Sequence, residues 1–389
     1  MIKKAFVTVV CCSLLLCGCW NSIELNEVIM VMGAGFDKTE QGFELSVEVL
    51  KSSGGSTAGE SQNEGMVLSI EGQTFFECVR NLIRKSKRRL YFTHTNIWVV
   101  SEQLARDNFT DVLDTLRRDQ MPRLNSLLLI TSESPKDILA TSTVTEDLTS
   151  VEMAESMEAT GFTSQFQPME IKRVFEMLSG PVPTTYIPII RTNQSDEEVI
   201  TEVNGVALIK NNRMVGRLNV SETKGLLYLR GEGGVGAITT ELKQGQKVSI
   251  EGRGEKVKIV PTLQGKQLTV NINIDVQGEL SEVPNDISVN DNQIREMEQV
   301  LMENGKEKME KSIKKLQELK VDVLDFGNHV HRKYPKQWHV IKDEWDDIFA
   351  NALVKLDVNC SINHRGLINN TEGGIYDKPQ FLPFFFSGD

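Results

Sequence analysis

The first twenty residues, MIKKAFVTVVCCSLLLCGCW, constrain the rest of the chain more than any later motif. Lys3 and Lys4 form a short positive stretch, and Ala5 to Leu16 make an apolar run of 12 residues. That run fits a secretory signal and falls short of the ~20 residues a spanning helix needs. No later stretch is apolar enough for long enough to span, so everything downstream is expected to fold in water and to build its own cores. With 389 residues, of which 40% are hydrophobic and 25% charged, two or three domains are expected. A formal net charge of −11 would repel a phosphate backbone over most of the surface, so nucleic acid is not an expected partner.

The apolar run ends Leu16-Cys17-Gly18-Cys19, an aliphatic residue and two small ones before a cysteine. This is the lipobox pattern of bacterial lipoproteins. Small residues let an extended backbone enter a peptidase site, and the Cys19 thiolate is the strong nucleophile available for a thioether-linked diacylglycerol. Two acyl chains suffice for stable anchoring where one is marginal. Cleavage before Cys19 removes Lys3 and Lys4 and takes the formal charge from −11 to −13. It also removes Cys11, Cys12 and Cys17, so only Cys78 and Cys360 remain as thiols. Two cysteines so far apart do not make a disulfide framework, and both sit in apolar contexts expected to bury them.

The body alternates strand-like and helical segments. VIMVMGAGFDKTEQGFELSVEVLK predicts a hairpin turning at Lys38 to Gly42, and MVLSIEG a strand. QTFFECVRNLIRKSKRRL predicts a helix with Phe75, Phe76, Val79, Leu82 and Ile83 on one face. IWVV, DVLDTLRR, LNSLLLI and SPKDILA continue as strand, helix, strand and helix, a pattern of layered sheets and helices. Pro181, Pro183 and Pro188 in GPVPTTYIPII predict extended chain approaching a boundary. Beyond it, GVALIKNNRMVGRLNV predicts two strands about an Asn-Asn turn, and KVKIVPTLQGKQLTVNINIDVQGEL a meander with Val257, Ile259 and Leu263 facing one way. NQIREMEQVLMENGKEKMEKSIKKLQELK carries a narrow apolar stripe that suits a helix covering a sheet, or a rail for a partner helix. PKQWHVIKDEWDDIFANAL predicts one further helix, leading into the strand LDVNCSI.

The expected fold class is α+β, multi-domain, with mixed or antiparallel sheets flanked by helices. The expected boundaries are a cleaved signal over 1–18, an N-terminal α/β domain over 19–132, and a middle helical or extended segment over 133–203. A C-terminal α+β domain follows over 204–370, with long helices at 293–319 and 336–353, and a loose tail over 371–389.

Few constellations offer chemistry. GEGGVG, Gly231 to Gly236, satisfies G-x-G-x-x-G after the strand-like LLYLR, and Glu251 stands 20 residues beyond Gly231. A dinucleotide site needs a full helix opening at that loop. AITTELKQGQK is too short and too broken by glycine, so a turn in a sheet is expected and no nucleotide cofactor. Of His94, His329, His331, His339 and His364 only two are close in sequence, and no acid or thiol completes a metal set. No Gly-x-Ser-x-Gly elbow is present, so neither a metal nor an enzymatic activity is expected. IRKSKRRLY places Arg84, Lys85, Lys87, Arg88 and Arg89 within six positions of an otherwise acidic chain. Such a cluster suits contact with anionic headgroups or an acidic partner, and equally a solvated helix end whose cations complement the dipole.

Taken together, CWNSIELNE, EGQTFFECVRNLIRKSKRRLYFTH, LARDNFTDVLDTLRRD, TYIPII with GVALIKNNRMVGRLNVSETKGLLYLRG, and DFGNHVHRKYPKQWHVIKDEWDDIF with VNCSINHRGLI resemble, in that order, one family. It is the C subunit of GerA-type spore germinant receptors, the Ger(x)C lipoproteins. The resemblance spans essentially the whole chain after Cys19. Positions matching the family pattern are Cys19, Trp20, Glu24, Leu90, His94, Arg118, Asp119, Gly216, Leu218, Phe326, Gly327, Pro335, Trp338 and Trp345. Of these the resemblance implies a chemical role, lipidation, for Cys19 alone. It further implies a three-domain subunit without enzymatic activity, anchored on the outer face of the inner spore membrane of a Gram-positive spore former. Integral membrane A and B subunits would be its partners in a nutrient receptor that triggers germination. Cys17 within the box and the poly-Phe ending FLPFFFSGD depart from the family pattern. A substrate-binding lipoprotein that captures a small nutrient for a transporter is the alternative, although that class is usually a two-lobed βαβ repeat around a cleft.

Overall fold

Hairpin, crossover and cap signals account for most of the architecture of the computed structural model. It describes residues 27–50, 65–118, 122–143, 146–159, 165–195, 198–233, 235–242, 245–283 and 290–364. The chain divides into two compact units. The first holds residues up to Ala154 with Glu170–Lys172 and Ile190–Glu202; the second holds Glu155–Met169, Arg173–Ile189 and everything from Val203.

In the first unit the chain runs β1 (Val28–Thr39), β2 (Gly42–Leu50), β3 (Gly65–Gly72), α1 (Phe75–Ser86), β4 (Arg89–Tyr91), β5 (Ile97–Ser101), α2 (Glu102–Asp107), α3 (Phe109–Arg118), β6 (Leu127–Thr131) and α4 (Pro135–Leu139). β1 and β2 pair antiparallel from Val31↔Val49 to Thr39↔Gly42. Gly42 turns the chain at φ 144°, where a Cβ would stand 2.4 Å from the carbonyl oxygen of Gly72. The order in this unit is β3-β2-β1-β5-β6, with β4 parallel to the start of β1. β5 and β6 are parallel and buried along their whole length, as central parallel strands must be when both faces are covered. Phe36 lies at the centre of the core, stacked on Trp98 at 5.2 Å and edge-on to Phe75 at 4.5 Å.

α1 departs from its expected face. Phe75, Cys78 and Leu82 are buried, Val79 and Ile83 are half-buried, and Phe76 is 66% exposed. The apolar arc of this helix is wider than the strip its sheet can cover. The 75-78-82 spacing takes the core, and Phe76, one step round the helix, is left outside.

α5 (Thr149–Glu158), α6 (Ile171–Leu178), β7 (Thr184–Ser195) and β8 (Glu198–Lys210) follow. Pro188 sits within β7 rather than ending it.

The second unit continues with β9 (Arg213–Leu218), α7 (Val220–Arg230), β10 (Val235–Glu241), β11 (Lys247–Gln264), β12 (Gln267–Glu282), α8 (Asp291–Glu318), α9 (Phe326–Lys333), α10 (Pro335–Ile341), α11 (Trp345–Ala350) and β13 (Leu353–His364). The β8–β9 turn places Asn211 and Asn212 at φ 49° and 58°, the left-handed pair a tight hairpin demands. LLYLR is helix, not strand. Asn219 and Glu222 form a capping box at the start of α7, and Gly231 at φ 72° closes it. A short apolar run buried nearly all round carries no period, which is why this segment reads equally as a strand.

The second sheet is ordered β10-β11-β12-β13, antiparallel except for β12 and β13. A parallel neighbour needs a long crossover, supplied here by the helices between β12 and β13. α8 lays Ile294, Met297 and Leu301 over Leu242, Val248, Ile250 and Ile362, so its stripe does cover a sheet. Where α7 meets α8, a Cβ on Gly225 would stand 2.3 Å from Ser312 Oγ and 2.4 Å from the Lys308 carbonyl oxygen. The expected single helix over 336–353 is broken into α10, a 3-10 turn at Lys342–Glu344, and α11. In an unbroken helix Trp338 and Trp345 would lie about 10.5 Å apart along the axis; across the break their rings sit 5.1 Å apart in one core.

Candidate functional site

The basic cluster lies where α1 ends and β4 begins. Arg84 and Lys85 occupy the last turn of α1, where cations complement the helix dipole. Lys87 caps the helix in the left-handed region at φ 57°, its N–H donating to the Ile83 carbonyl at 2.8 Å. The Ser86 hydroxyl donates to the Arg88 carbonyl at 2.7 Å and ties the turn, after which Arg89 opens β4. All five cations are exposed. Lys85 Nζ donates to the Ser69 carbonyl at 2.5 Å. None of the five forms an ion pair with a carboxylate among the described residues. Along the outer face of α1 the same stripe carries Phe76, Arg80, Ile83 and Arg84, and the Arg80 guanidinium stands 4.8 Å from the Phe76 ring centroid. The stripe borders an open groove of about 920 Å³ reaching to Arg118 on α3. Arg118 is occupied by an ion pair to Asp114 at 2.6 Å.

Most of the described positions shared with the family pattern lie in or against the cores. In the second unit several converge on Asp322, 3% exposed in the turn between α8 and α9. Its carboxylate accepts the N–H of Phe326 at 3.1 Å, the N–H of Gly327 at 2.7 Å and the Trp345 indole N–H at 3.1 Å. Burial pushes its pKa up to about 6, against the lowering effect of those three donors. Gly327 is required by space, since a Cβ there would lie 2.3 Å from Val182 Cγ2 and 3.0 Å from the Trp345 ring. Pro335 opens α10, Trp338 packs on Trp345, and Gly216 faces Leu319, whose Cδ1 would stand 2.6 Å from a Cβ. In the first unit Leu90 is buried in β4, and the His94 ring lies 6.3 Å from that of Tyr91. Cys19, Trp20, Glu24, Asp119 and the poly-Phe ending lie outside the described residues.

Sequence reasoning missed two buried polar knots. The first centres on Tyr186 in β7, whose hydroxyl donates to Glu232; Glu232 is also paired with Arg173 at 2.5 Å and Arg230 at 3.1 Å. The two guanidinium groups lie 6.0 and 5.4 Å from the Tyr186 ring centroid. Burial, with the Glu232 charge added, holds the phenol far above the ordinary tyrosine range. The second is Glu48 in β2, 2% exposed, which accepts the N–H groups of Thr149 at 2.8 Å and Ser150 at 2.9 Å and so caps the start of α5. Burial raises its pKa. In LSVEVL the signal available is a lone acid inside an apolar run, which must find buried donors.

GEGGVG is the junction of a helix and a strand, the reverse of the strand-to-helix order that cradles a pyrophosphate. Among the described residues, no three His, Cys, Asp or Glu side chains come together as metal ligands. Cys78 and Cys360 are both free, Cys78 buried and Cys360 half-buried, and burial pushes each thiol up to about 11. A cavity of about 60 Å³ lies between α8 and the second sheet, lined by Ile250, Gly278, Leu301, Gly305 and Cys360 among others. It falls well below the ~300–1,000 Å³ of small-molecule pockets. Among the described residues no helix is long and apolar enough to cross a membrane.

These features define a multi-domain α+β protein of two sheets flanked by helices. Residues 21–192 match the model described as spore germination protein N-terminal domain, and residues 204–366 the one described as spore germination B3/GerAC like, C-terminal. Spore germination protein KC of Bacillus subtilis (strain 168) is 25% identical over 402 residues, covering 95% of this chain and 98% of that protein. Spore germination protein A3 of the same organism is 28% identical over 372 residues, covering 91% and 96%. The crystal structure of the GerBC protein superposes with a TM-score of 0.58 at 20% identity, over 85% of this chain and 96% of that one. The chain belongs to the Ger(x)C family, the C subunits of GerA-type spore germination receptors.

Proposed function

We propose that this chain is the lipid-anchored C subunit of a nutrient germinant receptor, needed for receptor assembly or signalling in the inner spore membrane. The observation that carries this reading is end-to-end correspondence: its relatives are matched over nearly their full length, and both family domains fall on this chain. The partners are two integral membrane subunits, A and B, and the anchor is a diacylglycerol on Cys19. The lipobox supports the anchor.

The test is a set of three strains. Cys19→Ala should leave the fold intact and move the protein from the membrane to the soluble fraction. A tagged wild-type chain should co-purify with two membrane proteins, and its deletion should abolish germination with one class of nutrient. Normal germination of the deletion strain with every nutrient tried would sink the reading.

A further inference from the structure

The first strand and the basic cluster meet. β4 runs parallel to the start of β1 in the register Val28↔Arg89, Ile29↔Leu90, Met30↔Tyr91, so the chain enters β1 at the same end at which the Lys87 turn enters β4. Neighbouring strands lie ~5 Å apart. Nine positions separate Cys19 from Val28, a stretch that spans at most ~32 Å fully extended. With Cys19 lipidated, as proposed above, the cluster therefore stands at the tethered end of the first unit's sheet.

Dipole complementation accounts for Arg84 and Lys85 but not for Lys87, Arg88 and Arg89, which lie beyond the last turn of α1. Lys87 also holds a left-handed backbone that favours glycine, so the chain keeps a charge there against its conformational preference. From Gln73 to Tyr91 the chain carries six cations against the single carboxylate of Glu77, within a protein of net charge −11. Phe76 projects from the stripe that carries Arg80 and Arg84, so the face joins an exposed aromatic to cations that form no ion pair with a carboxylate among the described residues. Such a combination suits the headgroup region of a bilayer, the ring entering the interface and the cations meeting lipid phosphates.

We propose that the outer stripe of α1 and the basic turn after it lie flat on an anionic lipid bilayer, so that patch and lipid tether together fix the orientation of the first unit on the membrane.

The test uses the mature chain made without its lipid, residues 20–389 with every described residue retained. It is floated with vesicles rich in phosphatidylglycerol and, separately, with vesicles of phosphatidylcholine alone. Binding to the anionic vesicles only is expected, with release near 1 M salt, where the screening length falls to ~3 Å. Replacing Arg84, Lys85, Lys87, Arg88 and Arg89 by Gln should weaken that binding by about tenfold or more, and Phe76→Ser should weaken it while leaving the salt dependence in place. All six positions are exposed, and an unchanged melting temperature verifies the fold. No binding to anionic vesicles, or equal binding by the five-fold variant, overturns the proposal. So does a variant that floats normally but, in the lipidated chain, no longer co-purifies with membrane proteins, because the patch would then be a protein interface. Mass measurement of the native N-terminus reports lipidation of Cys19 independently, so failure of the anchor and failure of the patch give different results.

Discussion

Trp345 donates its indole N–H to Asp322 at 3.1 Å, across a turn in which that carboxylate also accepts the backbone N–H groups of Phe326 and Gly327. One buried acid thus joins the end of α8, the start of α9 and the tryptophan pair. Three donors aimed at it favour the charge, burial opposes it, and burial prevails enough to raise its pKa to about 6 from an ordinary 3.8.

A raised folded-state pKa means that the native protein holds this proton more tightly than the unfolded chain does. Stability from Asp322 is therefore fullest below pH 4 and is lost as pH rises through 6, by a few kcal/mol. Glu48, raised by burial, acts in the same direction. Asp322→Asn keeps an acceptor for Phe326 but turns an amide donor toward Gly327 and Trp345. It should cost ~2–4 kcal/mol at pH 7 and flatten the pH dependence between 4 and 6, as read by chemical denaturation across that range. A slope identical to wild type would contradict the assignment.

Three glycines should separate by their surroundings. Gly225→Ala meets Ser312 and the Lys308 backbone, and Gly327→Ala meets Val182 and Trp345. Each should lower stability by ~1–3 kcal/mol or more, because packed backbone and rings cannot yield. Gly305→Ala, in the middle of α8, finds only Met309 Cε at 3.7 Å and should instead gain up to ~1 kcal/mol from helix propensity. Melting curves of the three variants decide it, and destabilisation by Gly305→Ala would count against the cavity beside it.

Lys87→Gly relieves a left-handed lysine and should raise stability by ~0.5–1 kcal/mol while removing a cation from the patch. Opposite signs in a thermal melt and in vesicle flotation are the expected signature. A loss in both would mean that the Lys87 side chain carries structure.

The Cys78 and Cys360 thiols should be inert in the folded protein at pH 8, since burial pushes each up to about 11. Titration of the lipid-free chain with a thiol reagent should show slow reaction under native conditions and two rapid equivalents in denaturant. Fast native labelling of Cys78 would contradict its burial.

The sheets and their hairpins were legible because turns declare themselves: Asn211-Asn212 and the Thr39 to Gly42 turn have few backbone solutions. α8 was legible through the period of its apolar stripe. LLYLR was not, because a run buried on all sides has no period, and the break at Lys342 was not, because Trp338 and Trp345 keep helical spacing in sequence while tertiary packing shortens the distance between their rings. The basic run was plain in sequence, but its place beside Val28 depends on a parallel pairing that no local pattern reveals. Asp322 and Glu232 were hidden for a related reason: their donors come from residues distant in the chain or from backbone groups that carry no sequence signature.

β13 closes the second sheet by pairing Leu353 with Thr269, 84 positions upstream. A strand that needs a partner so far back can join only after the whole helical crossover has been made, and such late, non-local contacts slow folding. During folding the second unit therefore waits on β13, with the edge of β12 open and Ile250 and Leu301 lacking the cover of Ile362. Until that strand arrives, β12 presents an unpaired edge open to mispairing with neighbouring chains.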